Sequence, residues 1–220
     1  MRTDTAFYCL HQVLAAPREW AAIGQRGSSM DTRLRMHGGE LYGAWRSQIG
    51  RPRDEVTLLT RWPLAAPPVI AHAEEVLRAA LPPVRAINSL CMQPWLRPID
   101  ARAPSRQGNY AFRTFSLPER HRDEFLRLCA QAWPDFEAAY DSQVIGLWEI
   151  TSDEPGRARA LLLTRRPDLA MWERSKLPQG ETETRVREQL SRRYDLCDDT
   201  EVYTTTLITA TDQTDTARWT

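Results

Sequence analysis

Lysine is all but missing from this 220-residue chain, Lys176 being the only one among 29 basic residues. It stands in the polar run Glu173-Arg174-Ser175-Lys176, where nothing apolar would depress its pKa, so Schiff-base chemistry of the pyridoxal or aldolase kind, which would have to use it, is disfavoured. No Gly-Lys-Ser/Thr occurs and no Gly-x-Gly-x-x-Gly follows a strand, which removes the usual signatures of a tightly held nucleotide. His-Glu-x-x-His and Gly-x-Ser-x-Gly are missing too, leaving zinc-protease and hydrolase readings without support. Cys9, Cys91, Cys129 and Cys197 stand far apart with no C-x-x-C pair, which fits reduced thiols better than a disulfide frame or a zinc site. No apolar run approaches the ~18 residues of a membrane span. Asp4 and His11 interrupt the N-terminal stretch and make it a poor secretory signal, so a soluble, cytoplasmic protein is expected. Charge is balanced at 29 against 29, so no global field draws the chain to nucleic acid or to an anionic membrane.

What is present is an ordinary globular composition, 42% hydrophobic and 26% charged, and an internal repeat. GELYGAWRSQIGRPRDEVTLLTRWP at 39–63 echoes SQVIGLWEITSDEPGRARALLLTRRP at 142–167. Gly43 and Trp45 fall on Gly146 and Trp148, and Leu58-Leu59-Thr60-Arg61-x-Pro63 falls on Leu162-Leu163-Thr164-Arg165-x-Pro167. The one-residue gain between them lies in charged, Gly/Pro-containing stretches, where a hairpin turn tolerates it. Upstream, residues 7–13 lie more loosely over 109–115.

Each copy reads as strand, helix, hairpin, helix, strand. The first copy predicts strands over 6–14, 40–47, 55–61 and 84–91, with helices from residue 17 and over 71–81. Gly24 and Gly27 make the first of those helices short or broken. The second copy predicts strands over 110–117, 144–151, 159–165 and 201–210, with helices over 119–136, 168–176 and 181–194. Pro134 is expected to kink or end its helix. Two ferredoxin-like repeats, 1–91 and 109–211, are therefore expected, joined by a proline-bearing linker over 92–108 and followed by a loose tail over 212–220.

A βαββαβ unit makes one antiparallel sheet with both helices on one face, and its bare face must be covered; two copies in one chain cover each other. The residues Tyr110-Ala-Phe-Arg-Thr-Phe-Ser-Leu, Phe125-Leu126, Gly146-Leu-Trp148 and Leu163-Thr-Arg-Arg-Pro-Asp-Leu-Ala-Met-Trp-Glu-Arg174 resemble the NIPSNAP family. That resemblance implies an α+β fold in which tandem ferredoxin-like repeats form a fused dimeric α/β-barrel. The chain departs from the family's usual pattern at Ala111, where an acidic residue is common, and at Arg165-Arg166, where an aromatic is. Relatives by architecture include cofactor-free monooxygenases, heme-degrading enzymes, chlorite dismutases and isomerases, which share a pocket between sheet and helices or inside the barrel.

Strand alternation sorts side chains onto two faces. In the second copy one face carries Arg113, Glu149 and Arg165 among aliphatics, while Tyr110, Phe112, Gly146, Trp148 and Leu162 form an apolar face suited to packing under helices. The first copy repeats the split with His11, Arg46 and Arg61 beside Tyr42 and Ala44. If the charged faces meet inside a barrel, Arg113, Glu149 and Arg165 are the catalytic candidates, the arginines orienting a polar or anionic group and Glu149 serving as general base. His11, Tyr42, Arg46 and Arg61 are then the substrate-binding candidates. The plainer reading is that these charges pair with one another or reach solvent at the rim.

Histidine is scarce. His72-Ala-Glu74 has the look of an iron-binding pair, but residues two apart on a helix diverge, so no metal is expected. His37, before Gly38-Gly39, is a heme ligand, a base or a turn residue, and His121 lies on a charged helix start. The eight tryptophans, with Trp45 and Trp148 repeating, argue for packing first and for an aromatic-lined pocket second.

The leading expectation is a bacterial, cytoplasmic protein that binds a small, largely apolar molecule, with no cofactor, as an oxygenase, isomerase or cyclase. A heme-binding enzyme or carrier using His37 or His11, and a non-catalytic scaffold, are the alternatives. A homo-oligomer is compatible with each.

Overall fold

The computed structural model describes residues 3–63, 70–151 and 154–212. Its first half runs β1 (Phe7–Ala15), α1 (Trp20–Gln25), α2 (Gly27–Met36), β2 (Glu40–Ile49), β3 (Glu55–Trp62), α3 (Ile70–Ala80) and β4 (Val84–Arg97). The second half runs β5 (Asn109–Pro118), a 3-10 turn (Glu119–His121), α4 (Arg122–Ala139), β6 (Gln143–Ile150), β7 (Arg157–Arg166), α5 (Leu169–Arg174), α6 (Gly180–Asp195) and β8 (Asp199–Leu207). None of the described helices is long and apolar enough to cross a membrane.

The eight strands close into one antiparallel barrel in the order β1-β3-β2-β8-β5-β7-β6-β4. Each copy's second strand pairs with the other copy's fourth, β2 with β8 and β4 with β6. Closure leaves no sheet edge unpaired, which is how two half-covered sheets satisfy each other within one chain. The two copies also share a register: His11 opposes Leu58 and Tyr8 opposes Arg61 in the first, while Arg113 opposes Leu162 and Tyr110 opposes Arg165 in the second.

Three apolar cores follow from this arrangement. One lies under α1–α3 around Trp20, Met30, Leu34 and Trp62. Another lies under α4–α6 around Phe125, Trp133 and Phe136. The third fills the barrel with Tyr8, Tyr42, Trp45, Tyr110, Phe112 and Trp148, all buried. Rings in the barrel meet edge to face or stacked, with Trp45 and Phe112 centroids 5.2 Å apart and Phe112 and Tyr203 5.1 Å apart. Such pairs add about 0.5–1.5 kcal/mol each beyond area burial.

The repeated Gly-x-Trp has a packing reason. In each copy the indole folds back over the glycine, and a methyl group at Gly43 or Gly146 would overlap the ring of Trp45 or Trp148. Both copies also carry a bulge here, between Leu41 and Gly43 and between Val144 and Gly146. A bulge inserts a residue and flips the faces beyond it. Tyr42 and Trp45 therefore both enter the barrel although three positions separate them, as do Ile145 and Trp148.

Two local expectations are corrected. The stretch from Met92 to Arg97, expected as linker, continues β4, because Met92, Gln93 and Pro94 pair with Ile150, Glu149 and Trp148 to close the barrel. The irregular register after Pro94 is where a strand tolerates proline. Helix α4 passes through Pro134 to Ala139, its buried stripe of Phe125, Leu128, Cys129, Ala132, Trp133 and Phe136 holding both sides of the proline. Burial of each such large side chain contributes about 1.5–3 kcal/mol, enough to offset the hydrogen bond a proline removes. Cysteines far apart in sequence meet as well: Cys9 opposes Cys91 across β1 and β4, their sulfurs 2.9 Å apart as free thiols. The first helix is broken as its glycines predict, α1 ending at Gln25 and α2 starting at Gly27. Of the tail, residues 213–220 lie outside the described residues.

Candidate functional site

Directly opposed residues of an antiparallel pair share a face, so the β5–β7 register decides which side chains enter the barrel. Tyr110 with Arg165 and Phe112 with Leu163 point inward, while Ala111 with Thr164 and Arg113 with Leu162 point outward beneath the helices. The expected single charged face is thereby split. Arg165 belongs to the barrel side and Arg113 to the helix side. The bulge in β6 adds a second split, sending Ile145 into the barrel and Leu147 under α4.

The remaining candidates are scattered. Glu149 lies half-exposed, accepting from Trp95 Nε1 at 3.0 Å and from Arg122 Nη2 at 3.4 Å. Arg165 donates from Nε to the Gln107 carbonyl at 2.7 Å. Arg61 is held firmly protonated by Asp4, at 2.6 Å, and by Glu40, at 2.8 Å. Arg46 stacks on Trp20 with its guanidinium carbon 3.9 Å from the ring centroid, beneath α1. Tyr42 packs edge-on against Tyr8 and reaches an open depression of about 280 Å³ beside the 97–106 segment, where Arg97 is already paired with Glu137 at 2.6 Å. His37 caps the C-terminus of α2, exposed, its ring 5.6 Å from that of His72.

His11 is fully buried on the helix side of β1, with Nδ1 2.7 Å from Ser89 Oγ and Nε2 3.0 Å from Thr60 Oγ1. Trp62 Nε1 donates to the same Thr60 hydroxyl at 2.8 Å. Burial pushes the imidazole down to about 3, so it is neutral. This is a closed, uncharged network.

The corresponding layer of the second copy is open. Between β5, β7 and α4–α6 lies a recess of about 70 Å³, with an adjoining outer recess of about 120 Å³ that shares Arg113, Phe136, Arg166, Trp172 and Tyr194 with it. An engineered cavity of roughly 150 Å³ admits benzene, so this cleft is of a size for one ring and its substituents. Three arginines face the inner recess: Arg113, Arg166 and Arg193.

None of the three forms an ion pair with a described carboxylate. Arg113 reaches Thr200 Oγ1 at 3.3 Å, Arg166 reaches Thr164 Oγ1 at 3.2 Å, and Arg193 has the Cys129 sulfur at 3.7 Å. The guanidinium of Arg166 lies over Trp172 and Phe136, at 5.0 and 5.2 Å from their centroids, and that of Arg193 over Phe115 at 4.8 Å. The Nε atoms of Arg166 and Arg193 are buried without a hydrogen-bond partner. Burial, helped by the charge of Arg113, pushes Arg166 down to about 10. Burial also lowers Arg113, and repulsion from Arg193 adds to the effect. Cys129 is no counter-charge, since burial pushes its thiol up and keeps it protonated.

Of the sequence candidates only Arg113 reaches this cleft. Arg166 and Arg193 were missed, yet the repeat carries a signal for the first, because Arg166 falls where the first copy has Trp62. Among the described residues no histidine or carboxylate lines either recess.

The fold is that of the dimeric α/β-barrel proteins. No known family's sequence pattern matches the chain, and no curated protein matches it by sequence. Among solved structures it is similar to a candidate monooxygenase from Lactobacillus acidophilus NCFM, at TM-score 0.57 and 8% identity over 93% of this chain and 95% of that one. It is also similar to an anthrone oxidase-like protein, at TM-score 0.54 and 13% identity over 93% and 92%. A heme-binding protein from Thermus thermophilus matches at TM-score 0.54 and 12% identity over 94% and 92%. Identities this low speak for the fold alone.

Proposed function

We propose that this chain is a NIPSNAP-like fused α/β-barrel protein that binds a small, largely apolar molecule in the second-copy cleft and acts on it as an oxygenase, isomerase or cyclase. The observation that carries the reading is the asymmetry of the two helix–sheet layers. At His11, Thr60 and Trp62 the first is buried and hydrogen-bonded; the second keeps an aromatic-walled recess over the same strand positions. Pockets that are mostly apolar with a few convergent polar groups are the common form of a small-molecule site. The likeness to a candidate monooxygenase and an anthrone oxidase-like protein supports the enzyme part of the proposal.

Heme is the second reading, favoured by the likeness to a heme-binding protein. The histidines named for it do not fit the cleft: His11 is sealed among Ser89 and Thr60, and His37 is on α2. Native mass spectrometry of the protein purified from its own host, compared with its denatured mass, tests both readings. A bound mass of substrate size that disappears in Ala111→Leu, which fills the inner recess, supports the proposal. A heme mass supports the second reading, and a substrate-size mass retained in Ala111→Leu removes the cleft as the site.

A further inference from the structure

Three arginines line the inner recess of the second-copy cleft with no described carboxylate among its lining residues, and that imbalance says what the ligand must bring. We propose that the ligand is a planar organic anion, an aryl or conjugated carboxylate or phenolate, whose charged end sits among Arg113, Arg166 and Arg193 and whose flat body lies against Trp172, Phe136 and Tyr194. The inference rests on the cleft being a small-molecule site and adds its charge and shape.

The argument runs through the alternatives for satisfying those arginines. A buried guanidinium is normally paired, because leaving it uncompensated is costly. Elsewhere Arg61 has Asp4 and Glu40, Arg97 has Glu137 and Arg174 has Glu183, while Arg46 and Arg165 stand singly, on the Trp20 ring and the Gln107 carbonyl, each with one buried nitrogen unpartnered; the cleft differs in bringing three such arginines to one recess. In the cleft the neighbours are two threonine hydroxyls, a protonated thiol, the Tyr194 hydroxyl beside Arg193 and aromatic faces, with no described carboxylate among the lining residues. Aromatic faces attract a cation but leave its in-plane N–H groups free. Arg166 Nε and Arg193 Nε are such free donors, and both side chains line the recess. Guanidinium forks match the two oxygens of a carboxylate or the oxygen of a phenolate.

The walls select against a compact hydrated anion. Trp133, Phe136, Leu162, Trp172 and Leu190 surround the arginines, so inorganic phosphate would lose its water without gaining comparable contacts. A planar aromatic body fills the same space favourably. Fixed positive charge facing a substrate oxygen also favours the ionised form of an enol or phenol, the proton leaving to solvent since no described histidine or carboxylate lines the recesses.

The test uses the full chain, with sodium benzoate, benzamide and inorganic phosphate as probes, read by calorimetry and by tryptophan fluorescence, as Trp133 and Trp172 line the cleft. Benzoate is expected to bind about tenfold or more tighter than benzamide, and phosphate not to compete. Arg166→Gln is expected to weaken benzoate by about tenfold while melting no lower than the parent, since it removes an unpaired buried charge. Equal binding of benzoate and benzamide overturns the anion and leaves the apolar cleft standing. Phosphate binding as tightly as benzoate overturns the planar body. Failure of both aromatic probes at millimolar concentration overturns the cleft itself. An Arg166→Gln variant that melts lower yet binds benzoate unchanged makes Arg166 a structural strut and overturns its role here.

Discussion

The two halves of this molecule put the same strand positions to opposite uses. On the helix side of β1 and β3 stand His11, Thr60 and Trp62; at the matching positions of β5 and β7 stand Arg113, Thr164 and Arg166, in the same register. The first trio is neutral and mutually hydrogen-bonded. The second holds two cations that repel each other and, with Arg193, border a recess. A closed layer supports the fold, and the open one is the proposed ligand site. The proposal thus divides stability and site between copies that share one backbone plan.

Moving the charge of the second half into the first should break that division most severely. His11→Arg places a guanidinium among Thr60, Ser89 and Trp62 with no carboxylate at hand, and a cost of about 3–5 kcal/mol is expected in urea unfolding. A loss under ~1 kcal/mol would mean that the first layer is no more closed than the second. The acid limb of stability comes next. His11 is down at about 3 in the folded chain against about 6.5 unfolded. The unfolded chain therefore binds a proton that the folded chain refuses as pH falls below about 6.5. Stability should be full above that pH and drop by up to about 1.4 kcal/mol per unit toward pH 3. His11→Gln should flatten that part of the slope; an identical slope in the variant would assign it to other groups.

Gly43→Ala and Gly146→Ala test what the halves have in common. Each forces a methyl group into an indole inside the barrel, and each should cost about 1–3 kcal/mol. Losses differing widely between the two would show that the barrel interior is less symmetric than its bulges. The mildest effect belongs to the reverse exchange, Arg113→His with Arg166→Trp, which gives the second layer the first layer's side chains. Thermal unfolding should show a gain of about 1 kcal/mol as an unpaired buried charge disappears, with benzoate binding lost. Retained binding would detach the ligand from the arginines.

Much of the fold was legible in advance, and for identifiable reasons. Gly43-x-Trp45 with Gly146-x-Trp148 and the two Leu-Leu-Thr-Arg runs declare a repeat, and a repeat of βαββαβ units demands mutual cover. The candidate site was far less legible. Alternation correctly put Arg113 with Phe115 and Leu163 with Arg165, but it joined the two pairs on one face, where the register separates them. Arg193 sits three residues after Leu190 on α6 and is buried, yet an arginine beside an apolar stripe reads from sequence as a solvated edge. Glu149 looked like an enclosed base and faces Trp95 and Arg122 instead.

Sequence alone determined the repeat, the strand and helix periods and, in the unbulged strands β5 and β7, which neighbours share a side, because those depend on local geometry of fixed period. Which side is the inside was decided only in the tertiary structure. Cross-strand register, two one-residue bulges and the pairing of β2 with β8 and β4 with β6 are long-range facts, and shifting any of them by one residue exchanges the barrel face for the helix face.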